Sequence, residues 1–176
     1  MVRLGYGTNV HPAETLAEVW RVLKTYAVPL RKAVSPEEPL GIGLYLSAQA
    51  AGTLASSRES AEDFREFLRS ERLNVFTVNA FPYGDFHAPR VKEGVYQPDW
   101  TTPRRLAYTL DAARALGGLL EEGGTGTVST LPLGWKASGT EPERMERMTE
   151  NLLEVARELD RLRRERGKTV VLCLEP

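Results

Sequence analysis

The sequence Thr169–Glu175, TVVLCLE, decides the fold, because it is the fifth short apolar or β-branched run in a chain of 176 residues. Glycine and proline flank these runs, and their length and composition predict buried strands. The four earlier runs, in chain order, are Leu4–Asn9, Gly41–Ser47, Asn74–Asn79 and Gly126–Leu131. We therefore expect a sheet of five strands.

Helical patterns fill the gaps between the predicted strands. Leu16, Val19 and Trp20 recur at the i, i+3, i+4 spacing that places apolar side chains on one face of a helix. The predicted helices are Thr15–Lys32, a short helix at Ala48–Ala55, and then Ala61–Arg72, Pro103–Glu121 and Glu141–Arg166. Strands that alternate with helices in this way predict βαβ units on a parallel sheet.

Two architectures accommodate five such strands. One is a partial (β/α) TIM barrel with about five of the eight strands, and the alternative is a five-stranded doubly wound open sheet. The sequence stops at Glu175-Pro176 without a helix to cover the fifth strand, whereas both faces of a parallel sheet need cover. We therefore expect residues 1–176 to form a single α/β domain, the N-terminal part of an eightfold barrel of roughly 300 residues. An unclosed barrel edge favours pairing between copies, and hence a homo-oligomer.

Composition and charge argue against several partners. The formal net charge is −1, so no basic field attracts nucleic acid. No apolar run approaches the roughly 20 residues of a membrane span, and the N-terminus lacks the apolar segment of a signal peptide. The single cysteine, Cys173, lies in an apolar run and is expected to be a small buried residue in a reducing cytoplasm.

Polar side chains follow the predicted strands at the place where a ligand site is expected. In both architectures ligands bind at the carboxyl ends of the parallel strands. Asn9 ends the first run there and His11 follows it, Ser47 ends the second and Asn79 ends the third. The structural alternatives are a helix cap or turn for Asn9 and Ser47, a turn histidine for His11, and bonds to neighbouring backbone for Asn79.

Glu175 is the most informative of these polar residues. It directly follows the apolar run VVLCL, where a carboxylate without a partner would be costly to bury. We expect Glu175 to bind a metal ion or the substrate in a complete barrel. The alternative is a carboxylate solvated near the C-terminus.

The segment 79–100, NAFPYGDFHAPRVKEGVYQPDW, is too long for a plain connection between a strand and a helix, so we expect it to be functional. Phe81 and Trp100 are candidates to pack against the ligand, and His87 and Lys92 are candidates to form hydrogen bonds with it. The alternative for the aromatic residues is a small satellite core beneath the loop.

Four segments carry a resemblance to a known family. They are GYGTNVHPAETL at 5–16, the whole of 79–100, STLPLGWK at 129–136 and LCLEP at 172–176. Together they resemble the Ebo-cluster metabolite traffic protein E (EboE) family, whose members resemble xylose isomerase-like TIM barrels, and the match is to the N-terminal portion only. The resemblance implies a divalent metal (Mn, Mg, Co or Zn) at the carboxyl rim, with Glu175 as one ligand and later strands supplying the others.

The leading functional hypothesis is a sugar isomerase or epimerase that depends on a divalent metal. A cation would polarise adjacent carbonyl and hydroxyl oxygens, and Glu175 would transfer the proton as well as bind the metal. Asn9, His11 and Asn79 would bind the sugar or polyol. The alternative is a non-catalytic protein that binds or carries a small metabolite. A nuclease related to endonuclease IV is disfavoured, because the chain has two histidines and no excess of basic residues.

Overall fold

The structure, a computed structural model, describes residues 4–84, 94–135, 139 and 141–175. Five strands alternate with helices, as the sequence predicts. The strands are β1 Gly5–Gly7, β2 Leu40–Tyr45, β3 Leu73–Asn79, β4 Thr125–Thr130 and β5 Thr169–Leu174. The helices are α1 Leu16–Val22, α2 Val28–Val34, α3 Ala48–Ser56, α4 Arg58–Ser70, α5 Pro103–Leu119 and α6 Pro142–Arg166. No helix in these ranges is long and apolar enough to cross a bilayer.

All five strands are parallel, and their order in the sheet is β1-β2-β3-β4-β5. Each crossover therefore moves to the next strand in the same direction, and right-handed crossovers then place every helix on the same face. The helices accordingly contact one another in a row, with α3 against α5 and α5 against α6. A doubly wound sheet requires a reversal of strand order. The sequential order favours a segment of a barrel.

Local sequence signals account for most helix ends. Thr15 and Glu18 form a reciprocal capping box at the start of α1. Ser47 caps α3 by accepting a hydrogen bond from the backbone N–H of Ala50, so its predicted alternative role as a helix cap is confirmed. Gly167 ends α6 with a φ of 61°, a left-handed conformation that glycine adopts without a steric penalty.

Two predicted helices differ from the observed ones. The first is not a continuous α-helix, because a π-helical segment, Leu23–Ala27, separates α1 from α2. The helix predicted to begin at Ala61 begins at Arg58, directly after Ser57 accepts a hydrogen bond from the backbone of Ser60. Apolar periodicity does not indicate this start, because the first turn of the helix is polar.

The core lies between the sheet and the helix layer. Ile42, Leu44, Val78 and Val128 are completely buried there. A second cluster lies between α6 and the segments that follow β3 and β4; its buried members are Trp100, Leu131, Met148 and Val155. Because strand side chains alternate between the two faces, the residues next to these core positions face away from the helices.

The face opposite the helices is open. Phe76 is 46% exposed and Val171 is 43% exposed, although both are large apolar residues within strands. The pairing of β2 with β3 is irregular after Ile42, which leaves Phe76 as an extra residue on this face. A Cβ atom at Gly41 would lie 3.1 Å from the Phe76 ring, which explains why glycine suits that position. Cys173 is half-buried, so the prediction that it is buried is only partly met.

Candidate functional site

A cleft of about 220 Å³ opens at the carboxyl edge of the sheet. Four of the predicted site residues line it, together with two residues that the sequence did not single out. The lining residues are Asn9, Tyr45, Asn79, Phe81, Pro82 and Glu175. The structure therefore brings together residues from the ends of β1, β2, β3 and β5.

The turn after β1 places Asn9 at the cleft. Thr8 connects β1 to β2, because its Oγ1 accepts a hydrogen bond of 2.8 Å from the backbone N–H of Tyr45. The next side chain, Asn9, folds back over Gly7, where an added Cβ would lie 2.9 Å from Asn9 Oδ1. A larger residue at position 7 would therefore displace the Asn9 amide from this position.

Tyr45 and Asn79 are direct partners in the register between β2 and β3. The Tyr45 hydroxyl donates a 3.0 Å hydrogen bond to the carbonyl of Gly84, at the start of the long loop. Asn79 Oδ1 accepts a 3.3 Å hydrogen bond from the backbone N–H of Phe81. The predicted alternative for Asn79, a bond to neighbouring backbone, is thus observed. This bond also fixes which way the amide points.

Glu175 reaches the cleft because the pairing of β4 with β5 continues one residue past the strand. Its backbone N–H donates a 2.9 Å hydrogen bond to the carbonyl of Thr130. The residue is exposed. Among the residues that line the cleft, Glu175 supplies the one carboxylate.

The residues described do not complete a metal centre. That part of the chain holds no group of three or more His, Cys, Asp or Glu side chains that could bind a metal ion. Divalent cations generally require several oxygen or nitrogen ligands. Glu175 alone does not meet this requirement.

His11 lies outside the cleft. The Tyr6 hydroxyl and His11 Nε2 are 2.5 Å apart, and the His11 ring stacks on Tyr26 with a centroid distance of 3.9 Å. Burial, and then the neighbouring Tyr26, raise the pKa of the Tyr6 hydroxyl. These contacts fix the turn after β1, which agrees with the structural alternative for His11. The predicted contact of His11 with a ligand stays a prediction.

The far end of the long loop is anchored in the core. Trp100 is completely buried, and its indole N–H donates a 3.3 Å hydrogen bond to the carbonyl of Leu131. Trp100 does not line the cleft. Trp100 is therefore a core residue. His87 and Lys92 lie outside the described residues, so their predicted roles stay predictions.

Asp99 reinforces the same anchor. Arg144 of α6 donates a 2.8 Å hydrogen bond to the Asp99 carboxylate, and Thr101 donates to it from both its backbone and its hydroxyl. Burial by itself would raise the Asp99 pKa, but these hydrogen bonds outweigh it and lower the pKa below its usual value. Asp99 is therefore an ionised, paired group that connects the loop to α6.

Arg105 holds both ends of the loop and was not predicted. It is completely buried in the first turns of α5. Its guanidinium donates a 2.9 Å hydrogen bond to the carbonyl of Ala80, where the loop begins, and a 2.8 Å hydrogen bond to that of Pro98, where it ends. Burial lowers the pKa of Arg105 to about 10. The group stays charged at neutral pH because this value is still well above 7.

Tyr108, one turn later on α5, supports the floor of the cleft. Its hydroxyl donates to the carbonyl of Pro82 at 2.9 Å and also bonds to the carbonyl of Leu46. Burial raises the pKa of this hydroxyl well above its usual value. An arginine and a tyrosine in a helix carry no sequence signal for this role, since arginine is mostly found at surfaces.

No protein-family model matches this chain, and no curated protein matches it either. The family resemblance therefore stays a prediction.

Proposed function

We propose that the cleft binds a small sugar-like or polyol metabolite. The observation that carries this proposal is the meeting of Asn9, Asn79 and Glu175 with the ring of Phe81 at one edge of the sheet. Amide and carboxylate groups match the donors and acceptors of neighbouring hydroxyls. Phe81 and Pro82 offer an apolar surface to the C–H groups of a ring.

The size and charge of the cleft narrow the ligand class further. Its volume of about 220 Å³ lies below the roughly 300–1,000 Å³ of sites for drug-sized ligands, so a single small ring fits best. Glu175 would repel a phosphate or carboxylate placed beside it. We therefore favour a neutral ligand with several hydroxyl groups.

Binding is tested by calorimetry and ligand-observed NMR with a panel of neutral monosaccharides and polyols. Glu175→Gln should weaken binding by roughly fivefold to tenfold, because it replaces a hydrogen bond to a charged group, about 1.5–3 kcal/mol, by a neutral one of about 0.5–1.5 kcal/mol. The matched control is Glu150→Gln on the exposed side of α6, which should leave affinity unchanged. The absence of binding across the panel, or equal affinity of Glu175→Gln and wild type, would refute the proposal.

A sugar isomerase or epimerase of the type implied by the EboE resemblance is the second candidate. What favours it is the position of Glu175 in the cleft, directly after β5, where a carboxylate could take a proton from the carbon beside a ligand carbonyl. Proton NMR in D₂O is the direct test, with and without added Mn²⁺, Co²⁺, Mg²⁺ or Zn²⁺. Exchange of a carbon-bound proton that Glu175→Gln abolishes would support catalysis, whereas binding without exchange supports a carrier.

We also propose that copies of the chain pair through the unclosed barrel edge and the open face beside it. The single cysteine suits a reducing, cytoplasmic setting. Phe76 and Val171 expose apolar surface there, and β1 and β5 each pair on one side only within the described sheet. Light scattering over a range of concentrations should find a dimer or larger assembly. Val171→Lys should dissociate it, while a wild type that remains monomeric would refute pairing.

A further inference from the structure

A row of three aromatic rings leads away from the cleft. Phe81 lines the cleft, and its ring meets the ring of Tyr96 edge to face at a centroid distance of 5.8 Å. The Tyr96 ring in turn lies 5.0 Å from the ring of Trp135. Tyr96 belongs to the long loop, and Trp135 follows β4, so two separate segments of the chain build this row.

The inner two rings of the row pack against the protein core. Phe81 and Tyr96 pack against the second core cluster, which contains Trp100 and Met148. Gly134, next to Trp135, lies beside the loop anchor, because a Cβ placed there would lie 3.4 Å from both Asp99 and Met148. The backbone beside Trp135 is therefore held against two buried side chains.

The outer end of the row is accessible. Trp135 is 38% exposed, whereas the other tryptophan of this region, Trp100, is completely buried. An accessible indole at the end of an aromatic row that begins in the cleft is a surface for an apolar or flat group. The cleft itself has room for one small ring, so a larger ligand would extend along this row.

We infer that Phe81, Tyr96 and Trp135 form a second subsite for a ring joined to the sugar or polyol head, so that the ligand class is a glycoside with two rings. This inference rests on the proposed function, because the head group must occupy the cleft. The shared chemistry is a ring with an apolar face. A second sugar and an aryl group both provide one.

The test uses matched ligand sets: a methyl glycoside, the phenyl glycoside of the same sugar and a disaccharide with the same terminal sugar. In the wild type, a two-ring ligand should bind about two- to tenfold more tightly than the methyl glycoside, the range expected for one aromatic contact. If the phenyl glycoside shows the larger increase in affinity, the second ring is an aryl group, and if the disaccharide does, it is a sugar. Calorimetry gives the affinities, and quenching of tryptophan fluorescence gives an independent readout.

Trp135→Ala should abolish the gain of the two-ring ligands and leave the affinity for the methyl glycoside unchanged. Trp135→Phe should restore part of the gain, which excludes simple misfolding. Leu153→Ala removes another exposed apolar side chain, on α6, and should have no effect. Glu175→Gln should weaken all three ligands together, because each places the same head group in the cleft.

The possible failures are distinct. If the methyl glycoside binds but neither two-ring ligand binds better, the second subsite is refuted and the proposed function stands. A gain that survives Trp135→Ala also refutes the subsite. If none of the glycosides binds, the proposed function fails, and the subsite fails with it.

Discussion

Arg105 is the residue whose replacement tests most directly how the site is held. Its guanidinium bonds both ends of the long loop, at Ala80 and at Pro98. Within the described residues it is buried without a hydrogen bond from Nη2 and without a carboxylate bonded to it. Its contribution therefore combines a gain from two charge-assisted hydrogen bonds with a cost of burying a charge.

The two contributions can be separated with two substitutions. Arg105→Lys keeps the charge but lacks the planar fork that reaches two carbonyls, so it should lose one hydrogen bond, or about 1.5–3 kcal/mol. Arg105→Met loses both bonds, about 3–6 kcal/mol. It also removes the cost of burying the charge. The lowering of the Arg105 pKa from 12.5 to about 10 puts that cost at about 3 kcal/mol.

We therefore expect Met to destabilise the fold by about 0–3 kcal/mol, no more than the chemically conservative Lys. Urea denaturation followed by circular dichroism measures both values. At a denaturant slope of about 2 kcal/mol/M, a loss of 2 kcal/mol shifts the midpoint by about 1 M. Arg104→Lys and Arg104→Met are matched controls on the neighbouring exposed position and should stay within about 0.5 kcal/mol of wild type.

A stability of Arg105→Lys within 0.5 kcal/mol of wild type would refute this reasoning, because it would mean that two-point attachment contributes nothing. A loss above about 5 kcal/mol for Arg105→Met would refute it differently. It would show that the charge itself, rather than the geometry of its bonds, stabilises the loop.

Two further predictions concern residues whose roles the structure separates from the cleft. Trp100→Phe should lower the free energy of unfolding by about 1–3 kcal/mol, because the Leu131 carbonyl loses its buried donor. Ligand affinity measured by calorimetry should not change. A tenfold loss of affinity would instead support the predicted contact of Trp100 with the substrate. The pKa of Glu158 is lowered from 4.5 to about 2, chiefly by the hydrogen bond from Arg161, so its stabilising effect is complete above about pH 4.5 and is lost as the pH falls toward 2. Glu158→Gln should therefore cost about 1–2 kcal/mol in urea denaturation at pH 7 and progressively less at pH 4 and 3, while the exposed Glu154→Gln should show little change at any pH.

Much of the fold was predictable because burial and periodicity are local properties of sequence. The five strands were located to within a few residues, since each is a short apolar run between turn residues. The π-helical segment Leu23–Ala27 had no such signal, because a single π turn inside a helix is rare and has no apolar pattern of its own. The start of α4 was missed for a related reason: a capped helix can begin with a wholly polar turn.

The sequence predicted the position of the candidate site better than it predicted which residues line it. The rule that ligands bind at the carboxyl ends of parallel strands placed Asn9, Asn79 and Glu175 together without any knowledge of distances. It could not separate Trp100 from Phe81, since both are aromatic residues in the same loop and only packing shows which is buried. Tyr45 was missed because it lies inside an apolar strand, where its hydroxyl gives no signal.

The hydrogen bonds already made in the cleft determine which ligand groups can be accepted. The Oδ1 atom of Asn79 accepts a hydrogen bond from the backbone N–H of Phe81, which orients the amide, and the amide nitrogen is the group that can donate to a ligand. Glu175, when ionised, can only accept. A ligand that bonds the Asn79 amide nitrogen and the Glu175 carboxylate accepts at one point and donates at another. Adjacent hydroxyls do both, whereas an ionised carboxylate can only accept. Removal of one hydroxyl from a bound polyol should accordingly weaken binding most in the deoxy isomer whose missing group faced Glu175, and that preference should disappear in Glu175→Gln.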